Sequence, residues 1–161
     1  MPGIAGLVTV DPTQARMEID RMIRPLQRMD THRAERYAGD CAALAAVSLD
    51  DTRALSQRGG VRLALAGAVV EEAALFARLR AHDGPVAPVN TQADLLLELY
   101  LAFGLAGVTN LNGSYALAIW EDRNHKLTLV RDRLGTANLY TWLAPNRLMF
   151  ASEYKAITWH P

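Results

Sequence analysis

The chain has 161 residues, of which 50% are hydrophobic and 21% are charged, and its 17 basic residues balance 17 acidic ones. This length and composition are typical of one globular domain, so we predict a single domain over residues 1–161. The balanced charge excludes a general electrostatic affinity for nucleic acid or an anionic membrane, and no apolar run approaches the ~20 residues of a membrane-spanning helix. The apolar N-terminal stretch lacks the basic region of a signal peptide, which favours a cytoplasmic protein.

The first part of the chain predicts a strand followed by a helix. Small and branched residues from Ile4 to Val10 predict the strand, and Pro12 ends it because proline cannot extend a hydrogen-bonded ladder. Apolar residues recur at helical spacing over Gln14–Met29, where Pro25 is expected to kink or split the helix. The polar run Thr31–Asp40 indicates a loop.

The middle of the chain predicts two strands and then two helices. The strands are Ala42–Leu49 and Val61–Val70, and Gln57–Gly60 forms a turn between them. Ala73–Ala81 predicts a helix with acidic residues before it, and Thr91 is typical of the N-cap of the next helix.

The last third predicts strand-like runs separated by turn signals. These runs are Ser114–Trp120, Lys126–Arg131, Leu139–Trp142 and Leu148–Ala151. A short helix is expected to begin at Ser152. Because the helices are segregated from the strands, the pattern predicts an α+β fold of two packed, mainly antiparallel sheets with helices outside.

The residue types by themselves point to no specific chemistry. The single cysteine, Cys41, excludes an intramolecular disulfide bond and a cysteine zinc cluster. The four histidines, His32, His82, His125 and His160, do not stand at metal-ligand spacings, so we predict no metal site. Glycine motifs that bind a dinucleotide or a phosphate are also missing, and no cofactor is predicted.

Several segments, in chain order, resemble the class II glutamine amidotransferase domains of asparagine synthetases. Residues 1–6, Met-Pro-Gly-Ile-Ala-Gly, resemble the Met-Cys-Gly-Ile-x-Gly opening of that family. Residues 111–120 resemble its Leu-Asn-Gly-x-Phe-Ala-x-x-x-Trp block, and residues 131–135 are similar to its Arg-Asp-Arg-x-Gly turn. His32 stands where the family has His-Arg-Gly-Pro-Asp, and residues 150–153 resemble the end of its domain. The resemblance implies the four-layer αββα sandwich of N-terminal-nucleophile hydrolases.

The resemblance also implies a degenerate active site. The family's nucleophilic cysteine is replaced by Pro2, which has neither thiol nor hydroxyl. Ala46 stands where the family has the arginine for the glutamine carboxylate, and Gln92 stands where it has the aspartate for the amine. Of the asparagine and glycine of the oxyanion hole, the asparagine position is Ala66 and only the glycine, Gly67, is retained.

These replacements favour a catalytically inactive glutaminase-like domain of an asparagine-synthetase-like system that forms amide bonds. We expect it to act as a structural and docking partner of an ATP-pyrophosphatase-type synthetase, since this chain carries no Ser-Gly-Gly-x-Asp-Ser loop with which to bind ATP. The docking surface is predicted at Arg131, Asp132 and Arg133 and around Trp159, and a homodimer through this region is the other expected assembly.

Two alternatives remain open on the sequence. Removal of Met1 would leave the secondary amine of Pro2 free to act as a base or nucleophile. Otherwise, the emptied glutamine pocket could bind a small molecule as a sensor.

Overall fold

The computed structural model describes residues 3–49 and 52–158. The strands are β1 (Gly3–Thr9), β2 (Arg33–Ala38), β3 (Ala42–Ser48), β4 (Leu55–Arg58), β5 (Val61–Val69), β6 (Gly113–Glu121), β7 (Lys126–Arg131), β8 (Tyr140–Ala144) and β9 (Arg147–Ala151). The helices are α1 (Pro12–Ile23), α2 (Glu72–Arg80), α3 (Gln92–Phe103) and α4 (Lys155–Thr158), and a 3₁₀ turn at Gly104–Gly107 follows α3. Among the described residues, no helix has the length and apolarity required to cross a membrane.

The strands form two antiparallel sheets. One has five strands in the order β2-β3-β1-β9-β8, and the other has four in the order β4-β5-β6-β7. Helices α1 and α4 pack on the outer face of the first sheet, and α2 and α3 pack on the outer face of the second. This four-layer architecture confirms the predicted α+β sandwich, with β1 at the centre of its sheet.

Three hydrophobic layers hold the sandwich together, because most central strands bury both faces. In β1, Ile4 faces the opposite sheet while Leu7 faces α1. In β6, Leu117 and Ile119 face α3, whereas the alternate residues face the other sheet. The layer between the sheets is rich in alanine, its members including Ala42, Ala46, Ala64, Ala66, Ala116 and Ala118. Small side chains there let the two sheets approach closely.

Two polar strands were missed by the sequence pattern. Thr31–Asp40 was expected to be a loop, but it contains β2, which pairs with β3 at the edge of the five-stranded sheet. The predicted turn Gln57–Gly60 likewise includes the end of β4, an edge strand of the other sheet. Edge strands tolerate charged residues because one side of the strand faces solvent, so hydrophobic alternation does not reveal them.

The helix boundaries follow local chemistry. Helix α1 ends at Ile23 rather than reaching Met29, because Pro25 cannot continue the hydrogen-bond pattern. The carboxylate of Asp11 caps its first turn by accepting a hydrogen bond from the Thr13 N–H at 2.9 Å. Thr91 caps α3 as predicted, in a reciprocal capping box with Asp94.

Candidate functional site

An open cavity of about 510 Å³ lies where the two sheets meet the loops that follow their strands. Its described lining residues are Arg28, Met29, His32, Leu49, Ala66, Gly67, Ser114, Thr136, Ala137, Asn138, Ser152 and Glu153. Ser152 ties this wall to the start of β1, because its Oγ accepts a hydrogen bond from the Ile4 N–H at 2.9 Å and its own N–H donates to the Ile4 carbonyl at 2.8 Å. The beginning of β1 therefore lies beside the cavity. Pro2, the predicted nucleophile position, lies outside the described residues.

Gly67, the predicted oxyanion-hole position, lies at the cavity wall with Ala66. Gly67 has a φ of +84°, and a β-carbon there would come within 2.0 Å of the Ser114 carbonyl oxygen. Only glycine fits both the left-handed backbone and the close approach to β6. The backbone geometry of the strand therefore requires glycine at position 67, whether or not the residue has a catalytic role. Its neighbour Ala66 has no polar side chain.

The other two predicted pocket residues do not line the cavity among the described residues. Ala46 is fully buried between the sheets, directly opposite Ile4 in the β1–β3 pairing. The Gln92 carboxamide accepts a hydrogen bond from the Val69 N–H at 3.0 Å and donates one to the Val69 carbonyl at 3.0 Å. It also contacts the Glu72 carboxylate. Gln92 thus joins the end of β5 to the starts of α2 and α3.

The charged groups at the cavity neutralise each other. The guanidinium of Arg28 pairs with the carboxylate of Glu153, and both residues line the cavity. Apart from this pair, the only charged or titratable side chain among the described lining residues is that of His32.

His32 is the most unusual polar residue of the cavity. It is 5% exposed, and neither ring nitrogen has a hydrogen-bond partner among the described residues. Its backbone is held firmly, because its carbonyl accepts from Gln27 Nε2 at 2.9 Å and its N–H donates to the Met29 carbonyl at 3.0 Å. A buried polar group without a partner costs about 1–3 kcal/mol, which a bound ligand or water could recover.

Asp132 organises the loop that forms another wall of the cavity. Its carboxylate accepts hydrogen bonds from the N–H groups of Ala137 at 2.9 Å, Thr136 at 3.0 Å and Leu134 at 3.1 Å. The bonds from Ala137 and then Thr136 hold the pKa of Asp132 well below its usual range, because they stabilise the carboxylate form. The aspartate therefore shapes the wall that carries Thr136 and Ala137.

Arg131 completes the same loop. Its Nε donates to the Ala137 carbonyl at 2.9 Å, and its Nη2 donates to the Gly135 carbonyl at 2.7 Å. Arg131 and Asp132, which the sequence predicts as part of a docking surface, both make side-chain hydrogen bonds within the loop. Arg133 and Leu134 remain exposed at the tip, and Leu134 is 85% exposed. Trp159, the other predicted docking residue, lies outside the described residues.

Sequence reasoning did not single out the hydroxyl groups of the cavity. Thr136 Oγ1 donates to Ser114 Oγ at 2.8 Å. Ser152 is predicted from the sequence as a helix start and as part of the segment that resembles the end of the family's domain. A signal was present, however, because Ser114 and Ser152 lie within segments that carry the family resemblance and Thr136 directly follows one. These segments, distant in the chain, converge on one cavity.

Comparison with known proteins agrees with this architecture. Residues 1–161 match a family model described as a glutamine amidotransferase domain. The chain belongs to this family. Asparagine synthetase [glutamine-hydrolyzing] 2 of Bacillus subtilis is 29% identical over 107 residues, a match that covers 66% of this chain and 14% of the relative. Amidase chry2 of Gibberella zeae is 31% identical over 67 residues, or 42% of this chain and 10% of the amidase.

The fold is also that of a solved amidotransferase. Glutamine phosphoribosylpyrophosphate amidotransferase from B. subtilis, complexed with ADP and GMP, superimposes with a TM-score of 0.72 at 17% identity. The match covers 96% of this chain and 42% of that one. The chain is thus a glutamine amidotransferase-like domain related to asparagine synthetase, and it matches only a small part of the length of these sequence relatives.

The depressed pKa of Asp132 makes stability depend on acid pH in a defined direction. A carboxyl whose folded-state pKa is lowered adds stability above its unfolded pKa of about 3.9 and loses it as the pH falls below that value. We therefore expect Asp132→Asn to be less stable than wild type at pH 7, and to lose less further stability on acidification. Urea unfolding measured at pH 7 and below pH 4 tests this expectation, with exposed Asp30→Asn as the control. Equal acid losses in wild type and Asp132→Asn would contradict it.

Proposed function

We propose that this chain is a catalytically inactive glutaminase-like domain of an asparagine-synthetase-like, amide-forming system. In that system it is a structural and docking partner of an ATP-dependent synthetase. The observation that carries the proposal is the state of the glutamine-site positions: Ala46 is buried in the core, and the Gln92 side chain is bonded to Val69. A cytoplasmic location and a single domain over residues 1–161 are parts of the same proposal and rest on the sequence.

The chemistry of the lost groups supports inactivity. Without a thiol or hydroxyl at residue 2, no acyl-enzyme can form there, and loss of a catalytic nucleophile can cost about 10⁶ in rate. Loss of one oxyanion donor, as at Ala66, costs about 10²–10³ more.

The exposed loop tip supports the docking role. Arg131 and Asp132 hold the loop from within, so Arg133 and Leu134 are presented to solvent on a well-braced turn. Leu134, which is 85% exposed, and the neighbouring cation Arg133 are thus the side chains that we propose contact the synthetase. The chain spans 14% of the length of the B. subtilis synthetase it matches, so the activity of any larger assembly is itself part of the proposal.

Restoring the nucleophile tests the inactivity directly. We expect neither wild type nor Pro2→Cys to release ammonia from L-glutamine, because the head-group contacts are missing as well as the thiol. Glutamate and ammonia production are the readouts, and circular dichroism verifies folding. The variant Pro2→Cys/Ala66→Asn/Gln92→Asp measures how much activity the missing polar groups return. Turnover by wild type would overturn the proposal, and robust turnover by Pro2→Cys alone would show that the pocket residues are wrongly assigned.

Binding to a synthetase tests the docking role. We expect the chain to bind an ATP-pyrophosphatase-type synthetase of the same organism, and Arg133→Glu/Leu134→Asp to weaken binding at least about tenfold, the effect of one strong contact. Arg123→Glu, on the exposed β6–β7 turn, is the matched charge reversal and should leave affinity unchanged. Trp159→Ala tests the C-terminal part of the predicted surface. Absence of binding by wild type, in calorimetry and pull-down, would refute the docking role.

A second candidate function is small-molecule sensing in the cavity. The observation that favours it is the buried, unpartnered imidazole of His32 in an open cavity of about 510 Å³. The two ring nitrogens of an imidazole are both hydrogen-bonding groups, and Arg28 and Glu153 are paired with each other. These features favour an uncharged ligand that bears both a donor and an acceptor. The alternative in which the Pro2 amine is catalytic has no comparable support, since Pro2 lies outside the described residues.

A matched set of probes tests the sensing function. Benzamide, benzoate and benzylamine have similar shapes but are neutral, anionic and cationic. We expect benzamide to bind most tightly and to shift the ¹⁵N signals of the His32 ring in NMR spectra, because a charged ligand would have no free counter-charge. His32→Phe should abolish the binding, while His82→Phe, at an imidazole outside the cavity, should not. Equal binding of all three probes, or full binding by His32→Phe, would exclude this function.

A further inference from the structure

Each of the two open sheets has an edge strand at either end, and these edges differ in charge. Within the described part of the chain, β2, β4, β7 and β8 each pair on one side only. Three of them carry charged residues: Arg33, Glu35 and Arg36 in β2, Arg58 in β4, and Lys126 and Arg131 in β7. Strand β8, with the sequence Tyr-Thr-Trp-Leu-Ala, carries none. Charges on edge strands oppose pairing with another chain, so β8 is the edge that lacks this protection.

Strand β8 also exposes large apolar side chains on both of its faces. Tyr140 is 43% exposed and Trp142 is 45% exposed, and the β8–β9 pairing places both on the face of the sheet that α4 covers. Tyr140 packs edge-to-face on Tyr154, with ring centroids 6.3 Å apart, and Tyr154 is itself exposed. On the opposite face, Leu143 is 77% exposed. Unpaired backbone groups and apolar side chains therefore coincide along one edge.

We propose that β8 is the dimerisation strand of this protein and pairs antiparallel with β8 of a second copy. In antiparallel pairing about a twofold axis at Trp142, this side chain lies opposite its own copy. Thr141 then lies opposite Leu143, and Tyr140 lies opposite Ala144. The pairing joins two five-stranded sheets into one continuous sheet and satisfies the free backbone groups of both edges.

Charge favours a second copy as the occupant of this edge. Self-pairing of β8 places no like charges opposite each other, because the strand carries no charged residue. Arg147, which lies opposite Ala144 at the end of β8, is neutralised by Glu18 at 3.0 Å. The formal net charge of the chain is zero, so no overall repulsion opposes association of two copies. This inference concerns a surface separate from the cavity and from the Arg133–Leu134 tip, and goes beyond the proposed function.

Analytical ultracentrifugation over a wide range of concentrations tests the assembly. We expect wild type to form dimers, and Trp142→Lys to raise the dimer dissociation constant at least about tenfold, because two ammonium groups would meet at the axis. Ala34→Lys places the same residue on the charged edge strand β2 and should leave the dimer intact. If Trp142→Lys does not fold, as judged by circular dichroism, Thr141→Lys replaces it. A wild type that is monomeric throughout, or dimers that survive lysine in β8, would overturn the proposal.

Disulfide trapping tests the geometry. In a Cys41→Ser background, Trp142→Cys should form an intermolecular disulfide rapidly on mild oxidation, because directly opposed residues of antiparallel strands have Cα atoms about 4.5–5.5 Å apart, within disulfide range. Ala34→Cys in the same background is the matched control on the other edge and should cross-link at least about tenfold more slowly. Equal rates for the two variants would show that β8 is not paired at the axis.

Discussion

Gly6 lies in the middle of β1 beneath the ring of Phe150, where a β-carbon would come within 2.3 Å of the ring and 2.7 Å of the Ala43 carbonyl oxygen. This contact forces three adjacent strands, β3, β1 and β9, to pack with no spare room at the centre of the sheet. Because β1 is buried on both faces, the two sheets and the helix α1 must all assemble around it. The alanine-rich layer between the sheets follows from the same demand for close approach.

The cavity lies at the end of the sandwich where the close packing between the two sheets stops. At the start of β1, Ser152 exchanges two hydrogen bonds with Ile4, and beyond that point the sheets no longer fill the space between them. The wall opposite is formed by a loop held by the carboxylate of Asp132 rather than by hydrophobic packing. The walls of the cavity are thus held in place by hydrogen bonds to backbone groups rather than by a bound molecule.

The predicted pocket residues make contacts that serve the structure of the domain. The carboxamide of Gln92 joins β5 to the helices beside it. Ala46 contributes volume to the core instead of charge to the cavity. His32 differs from both, because it has kept a polar side chain in a buried place with no partner among the described residues. An apolar residue would fill this position at a lower cost in stability, so the imidazole is better explained by contact with a ligand in the cavity.

The sequence by itself determined the fold class, most of the elements and the family. Hydrophobic periodicity identifies elements that bury a face, such as β6 and α1, and motif order carries the family resemblance. It could not identify β2 or the end of β4, because edge strands bury too little surface to show alternation. The sequence also does not reveal that Arg131 and Asp132 make hydrogen bonds inside a loop. The residue type alone does not show whether a charged side chain faces solvent or is hydrogen-bonded within the protein. Only the tertiary structure decided that Ala46 and Gln92 do not line the cavity while Ser152 and Thr136 do. These assignments depend on contacts between residues distant in the chain, and the local sequence around a residue does not specify which distant groups its side chain contacts.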